Sequence, residues 1–407
     1  MNCRHCHTPL QHPFLDLGHA PPSNAYLSVT DLFRPERYYP LRLRVCENCW
    51  LVQTEDYAEA GELFDAAYAY FSSTSSGWVE HARRYAERMT ARLALGADSR
   101  VIEVASNDGY LLQHFVAAGV PCIGVEPTAS TADVAERLGI PVIREFFGES
   151  LGRRLAGQGQ QADLLVGNNV FAHVPDINDF ARGLKAALKP GGTLTLEFPH
   201  LLRLIELVQF DTVYHEHFSY LSLFSAQRIL EAAGLRICDV EELSTHGGSL
   251  RVFACHQDDA RDTAATVAAL LKAEAHAGLR ELSTYRGFQA KADQVKDGLL
   301  GFLLEQKRAG RRVAAYGAAA KGNTILNYAG VKPDLLSCVF DAAPSKQGKY
   351  LPGSHIPILS PREIDELRPE LLLILPWNIA DEVMRQNERI RQWGGRFVIA
   401  VPELEVV

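Results

Sequence analysis

The sequence predicts an α/β protein: a small metal-binding module, then two open sheets of mostly parallel strands joined by a helical connector. Three observations carry that prediction. Two C-x-x-C pairs stand near the N-terminus, Cys3/Cys6 and Cys46/Cys49. Short apolar runs alternate with helical stretches from about residue 100 to 198, the rhythm of a doubly wound sheet. The same rhythm restarts at about residue 312, after a long helical stretch.

Composition sets limits on function. The chain has 407 residues, 47% hydrophobic and 22% charged, which suits a folded protein rather than a disordered one. At roughly 100–200 residues per domain, this length accommodates about two to four domains. The net charge of −8 disfavours a general nucleic-acid binder, because neutralising phosphates needs a basic surface. No apolar run approaches the ~18–20 residues that span a bilayer. Met1–Leu10 is rich in Cys and His and lacks the apolar core of a signal peptide, so a cytoplasmic location is expected. The expected segments are 1–65 (metal module), 66–260 (first α/β domain), 261–310 (connector) and 311–407 (second α/β domain).

The two C-x-x-C pairs are separated by 39 residues and read as a zinc site. A two-residue gap lets both thiolates of one knuckle face one metal. Two knuckles complete a tetrahedron and leave no open position, so the ion is expected to fold the segment and not to react. His5, His7 and His12 crowd the first knuckle as rival ligands, but Cys3, Cys6, Cys46 and Cys49 are the expected set. Reduced or redox-active thiols are the competing reading. Cys122, Cys238, Cys255 and Cys338 stand singly among apolar residues and read as small buried hydrophobes.

After the polar break Ser72–Gly77, a helix is expected over Trp78–Leu95, stopped by Gly96. Strands are expected at Arg100–Val104, Pro121–Val125, Asp163–Val166 and Thr193–Phe198, with helices over Tyr110–Ala118 and Ile177–Leu188 and a turn at Lys189-Pro190-Gly191-Gly192. Residues 261–308 read as one or two connecting helices. Further strands are expected at Arg312–Tyr316, Leu335–Phe340, Leu371–Leu375 and Phe397–Val401.

Candidate ligand-binding residues cluster where strands end. Glu103-Val-Ala-Ser106-Asn107-Asp108-Gly109 lies between a strand and a helix, and its small residues admit a ligand to the carboxyl edge of the sheet. Glu126 follows 17 residues beyond Gly109 at the end of the next strand, where a carboxylate can accept ribose hydroxyls or merely cap a helix. Asn168 and Asn169 end the third strand, and Phe147 completes the candidate cofactor set.

A second cluster carries proton chemistry. Phe210-Asp211-Thr212-Val213-Tyr214-His215-Glu216-His217-Phe218 is dense in titratable groups, and its two histidines flank a carboxylate, which suits proton transfer near neutral pH. The spacing is wrong for the helical H-E-x-x-H zinc motif, and a structural polar loop is the alternative. His246-Gly247-Gly248-Ser249-Leu250-Arg251 offers glycines for close approach to a ligand and an arginine suited to phosphate. Tyr68 and Tyr70 present two phenols ahead of the first α/β domain. Gly317-Ala-Ala-Ala-Lys321-Gly322, followed by Asn323, is either an anion cradle or a plain strand–helix turn.

Taken in order, these motifs carry a resemblance. Residues 101–198 resemble the class I S-adenosylmethionine (SAM) methyltransferases, although the first motif has only Gly109 where several glycines are usual. The whole series (paired C-x-x-C with W-L-V-Q, Y-x-Y-x-S-S, E-V-A-S-N-D-G, N-N-V-x-A-H-V-P, Y-H-E-H-F, H-G-G-S-L-R and Y-G-A-A-A-K-G) resembles the nucleotide-sugar C-methyltransferases of deoxysugar biosynthesis. The resemblance implies SAM as cofactor and a structural Zn2+. It also implies a thymidine diphosphate keto-sugar as small-molecule partner and methylation of a carbon beside the ketone. A histidine at the position of His217 acts there as general base, and residues matching Tyr68, His173, Tyr214 and Glu216 surround the sugar. Tyr70, His246, Gly247, Ser249, Arg251, Lys321 and Asn323 are the expected substrate contacts. The alternative is an O- or N-methyltransferase of the same architecture. No nucleic acid or membrane partner is expected, and a monomer is compatible with the sequence.

Overall fold

The computed structural model describes residues 1–57 and 71–407. Tyr68 and Tyr70 lie outside the described residues.

The N-terminal sheet has four antiparallel strands in the order β1 (His12–Ala20), β2 (Tyr39–Val45), β3 (Val52–Thr54) and β9 (Ser219–Tyr220). Alternation in β2 explains its placement: Leu41, Leu43 and Val45 are buried, while Pro40, Arg42 and Arg44 are more open. The last strand comes from far along the chain. Tyr220 pairs with Val52 and Ser219 with Gln53, so the residues directly after Phe218 belong to the zinc module's own sheet.

The second sheet has seven strands in the order β10-β11-β8-β7-β4-β5-β6. Its parallel part is β4 (Val101–Val104), β5 (Cys122–Val125), β6 (Val142–Ile143), β7 (Ala162–Asn168) and β8 (Leu188–Pro199). The antiparallel hairpin of β10 (Leu235–Leu243) and β11 (Ser249–His256) closes one side. All four residues of β4 are buried, as expected of a strand covered on both faces. Strand β8 runs back to Leu188, but the expected turn Lys189–Gly192 bulges out of the ladder between the Ala162/Leu188 and Leu164/Thr193 pairs, with Gly191 at positive φ. The preceding helix spans Ser76–Leu93, capped by the Ser75 side chain, and ends at left-handed Ala94 rather than at Gly96.

The third sheet has six strands in the order β14-β13-β12-β15-β16-β17. These are β12 (Val313–Tyr316), β13 (Val339–Phe340), β14 (Ile358–Leu359), β15 (Leu371–Ile374), β16 (Arg396–Ile399) and β17 (Glu405–Val406), with only β17 antiparallel. The connector comprises helices Ala265–His276, Leu282–Arg286 and Phe288–Arg308. They bind the modules together. Phe14 of β1 packs against Tyr285 and Phe288 at 5.4 and 4.8 Å between ring centroids, in a core that continues into β12 and β15. Truncating a buried Phe at such a site typically costs about 3–5 kcal/mol. Among the described residues, no helix is long and apolar enough to cross a membrane.

Candidate active site and metal centre

Each cysteine knuckle closes through a backbone bond, His7 N–H to Cys3 O and Trp50 N–H to Cys46 O, with His7 and Trp50 in the left-handed region. The four Sγ atoms lie within 4.8 Å of one another, and the Cys3–Cys49 and Cys6–Cys46 separations are 3.5 Å. A tetrahedron of thiolates ~2.3 Å from zinc has edges of ~3.8 Å, so the donor set fits that ion. Thiols this close share protons: Cys46 and Cys49 hold the Cys3 thiol well down, while Cys3 pushes Cys46 up to about 11. Full ionisation of the set needs a cation among them. The rival histidines are engaged elsewhere or open to solvent. His5 Nδ1 meets Asn178, His12 Nε2 meets Glu47, and His7 is exposed. The protein holds one structural zinc through the four cysteines.

At the carboxyl edge of the seven-stranded sheet, Ala105, Asn107 and Gly109 take positive φ as the chain turns from β4 into the next helix. Gly109 is required: a Cβ there would lie 2.5 Å from Ile140 Cδ1 at φ +79°. Glu126 is buried and accepts the N–H of Asn107 at 3.0 Å and of Thr128 at 2.9 Å. Each oxygen keeps acceptor capacity for a further donor. Ser106 Oγ, Asp108 Oδ1, Asn168 Oδ1 and Asn169 Oδ1 are buried at this edge without a hydrogen-bond partner among the described residues. That unsatisfied row fits a polar ligand such as SAM. Asn107 Oδ1 and Asp108 Oδ2 accept the N–H groups of Ser72 and Ser73, so residues 72–73 fold over the turn. Phe147 is half-buried and packs edge-on against Phe180 at 5.5 Å.

The Tyr214–His217 cluster, the candidate reaction centre, sits between this edge and the C-terminal sheet. His217 Nδ1 lies 3.1 Å from the carbonyl oxygen of Thr212. A carbonyl only accepts, so Nδ1 carries the proton and Nε2 presents its lone pair. Burial and the neighbouring His173 drive the His217 pKa well down, which keeps the ring neutral. Tyr214 and His173 flank it, with ring centroids at 3.9 and 4.6 Å. Burial lowers the His173 pKa to about 4. His215 points away, toward Tyr39 O at 3.4 Å. Thr212, not Glu216, orients the His217 ring, and both Glu216 oxygens accept from Asn24 Nδ2 of the zinc module, at 2.8 and 2.9 Å.

The C-terminal domain closes on this loop. Thr324 Oγ1 donates to Val213 O at 2.8 Å, and Trp377 Nε1 donates to Asp211 Oδ2 at 2.7 Å. Burial raises the Asp211 carboxyl to about 6. Lys321 Nζ lies 4.5 Å over the Trp377 ring and donates to Asn378 at 2.6 Å. Burial lowers its pKa, and nearby Asp211 opposes that shift.

Several expected substrate contacts are committed to the protein itself. Arg251 faces Glu197 across the β11/β8 register and donates to it at 2.6 Å; both are nearly inaccessible, so this guanidinium is not a free phosphate ligand. Ser249 Oγ donates to Thr245 O at 3.0 Å. Gly247 admits no ligand: a Cβ there would meet the Trp377 ring at 2.3 Å. Asn323 is fully buried and donates to Ser23 O at 2.6 Å. His246 stays at the edge, its Nε2 3.1 Å from Asn169 Nδ2, and burial lowers its pKa to about 4. Sequence reasoning passed over Asn24 and Trp377, and it gave Asp211 and Thr212 no role of their own within Phe210–Phe218. Pro21-Pro22-Ser23-Asn24 was visible but has no periodicity, and a carbonyl such as that of Thr212 has no sequence signal at all.

Comparison with known proteins decides the family. A methyltransferase domain model matches residues 78–240, a zinc binding domain model residues 3–64 and a C-methyltransferase C-terminal domain model residues 244–402. The chain is 34% identical to C-methyltransferase NovU of Streptomyces niveus, over 97% of this chain and 93% of that protein. This chain belongs to the C-methyltransferase family. The C-methyltransferase has the class I fold and uses SAM as its cofactor. Among solved structures, the SAH-bound magnesium protoporphyrin IX methyltransferase of Synechocystis PCC 6803 is 17% identical, with a TM-score of 0.36, over 44% of this chain and 83% of that one. A glycopeptide N-methyltransferase, MtfA, complexed with sinefungin is 13% identical, with a TM-score of 0.34, over 43% of this chain and 94% of that one.

Proposed function

We propose that this C-methyltransferase methylates the carbon next to the ketone of a nucleotide-linked keto-deoxysugar, with thymidine diphosphate as the carrier. The single observation behind the reading is His217. It is a buried, neutral imidazole, its proton fixed on Nδ1 by the Thr212 carbonyl and its Nε2 left as an acceptor. A sugar C–H is acidic only beside a carbonyl, and carbon methylation needs that proton removed first. His217 Nε2 takes the proton, and the C–H electron pair passes into the enolate. Tyr214, His173 and Tyr68 are the candidate donors that stabilise the enolate oxygen. SAM supplies the methyl group. Glu126 holds its ribose, while Ser106, Asn107, Asp108, Gly109, Asn168 and Asn169 line its site. Lys321, a half-buried cation beside the reaction loop, is the candidate contact for the sugar diphosphate. Four reduced cysteines around a metal suit the cytoplasm.

The test is a mass-spectrometric screen of thymidine diphosphate keto-sugars with SAM. The reading expects one to gain a single methyl that acid cannot cleave as a methyl ether. Methylation confined to alcohol or amine acceptors would refute it.

A further inference from the structure

Asn24 reaches the reaction loop from the zinc module, and its neighbours fix where it stands. Leu27 and Tyr350 exchange backbone hydrogen bonds at 3.0 and 2.8 Å, Tyr26 Oη donates to Ala318 O at 2.6 Å, and Ser23 O accepts from Asn323. Residues 23–27 are thereby pinned along the C-terminal domain, with the Asn24 amide turned onto Glu216. That carboxyl is 2% exposed, and both of its oxygens lie within 2.9 Å of the one Nδ2.

We propose that Asn24 is a positioning residue of the reaction centre, holding the Glu216 carboxylate in place and allowing it to ionise beside His217. The proposal rests on the reading of Tyr214–His217 as that centre. Among the described residues, the Asn24 amide is the partner that favours the charged form. Tyr26 faces Glu216 as a neutral phenol whose own pKa is raised by burial. Behind it, Lys346 is paired with Asp341 at 3.5 Å. His173 and His217 stay neutral, and His215 turns toward Tyr39. Tyr214, the remaining loop neighbour, lies against His217. Burial raises the Glu216 pKa to about 7, and Asn24 opposes that rise. A carboxyl that changes charge near neutrality, one residue along the chain from the base, is suited to receive the proton that His217 takes from the substrate. In this account the zinc module orders the strap that delivers Asn24.

The experiment is an infrared difference titration of the full-length zinc-loaded protein. It follows the protonated carboxyl band that Glu216→Gln removes. The expected midpoint is near pH 7 in the wild type. Removing the donor disfavours the carboxylate, so Asn24→Ala should move the midpoint up by about one unit. Asn24→Asp, of the same shape, should move it further by placing a second carboxylate against the first. Zinc content should stay at one per chain in both variants. The pH profile of α-proton exchange from a thymidine diphosphate keto-sugar in deuterated water should shift in parallel. An unchanged midpoint in both variants overturns the proposal and leaves Asn24 a structural fastening. A pH profile that moves with Asn24 yet survives Glu216→Gln unaltered overturns the reading of Glu216 as part of the reaction centre.

Discussion

At the carboxyl edge of the seven-stranded sheet, Glu126 accepts the N–H of Asn107 in the preceding turn and of Thr128 two residues on. At the same edge of the six-stranded sheet, Asp341 does likewise, with Ala318 at 2.7 Å and Ala343 at 2.8 Å. Both turns use a glycine at positive φ, Gly109 and Gly317. The difference lies in what covers them. Over the first edge, Ser106, Asp108 and Asn168 present buried polar atoms with no partner among the described residues. Over the second, Tyr26 Oη and Lys346 Nζ both donate to Ala318 O, at 2.6 and 2.8 Å. A strand-end acid is thus a turn staple in both sheets. Among the described residues, the staple of the first edge has unpartnered polar atoms around it, while Tyr26 and Lys346 cover the staple of the second.

Removing zinc should have the largest effect on this contrast. The closed site contributes to folding on the ~10 kcal/mol scale. The module it orders supplies both Tyr26 and the β3 partner of β9. Chelation should therefore abolish turnover along with hydrogen-exchange protection at Ser219–Tyr220, rather than spare the chemistry as a remote module would. Elemental analysis finding no zinc in reduced, freshly purified protein would remove the premise.

Glu126→Ala should weaken SAM binding by about 1–3 kcal/mol in calorimetry, the scale of an unpaired buried polar group. Asp341→Ala should lower the melting temperature and leave SAM affinity within about threefold. Equal losses of SAM affinity in the two variants would erase the distinction between the edges. Lys321→Ala should raise the sugar KM about tenfold, the scale of a charge-assisted hydrogen bond, without changing SAM affinity. A separate effect is on pH-dependent stability. Glu216 holds its proton up to about pH 7 when folded but only to about 4.5 when unfolded. Between those values the folded state binds more protons, so stability relative to Glu216→Gln should fall as pH rises, then level off above 7. Denaturant midpoints across pH 4–9 measure this.

How much of this was legible in the sequence differs by element. The C-x-x-C spacing announced the metal, because two short knuckles can serve little else once they converge. The β4 and β5 ends announced the first ligand edge through Gly109 and Glu126. Long-range pairing was not legible. Nothing local to Ser219–Tyr220 says that it joins the zinc module's sheet, and nothing in H-G-G-S-L-R says that Arg251 stands opposite Glu197. The glycines of that motif signalled a close approach, but the approaching group is Trp377, 130 residues downstream of Gly247. His217 was legible as a base candidate. The carbonyl that sets its tautomer was not.

The central claim is that His217 makes a carbanion equivalent before the methyl group moves. Exchange of the substrate's α-proton with deuterated water, followed by mass spectrometry on a thymidine diphosphate keto-sugar, reads that step apart from methylation. The account predicts exchange by the wild type and a loss of about 10²–10⁴-fold in His217→Asn, with sugar binding retained. A variant that exchanges at the wild-type rate but fails to methylate would contradict the account and leave His217 a positioning group.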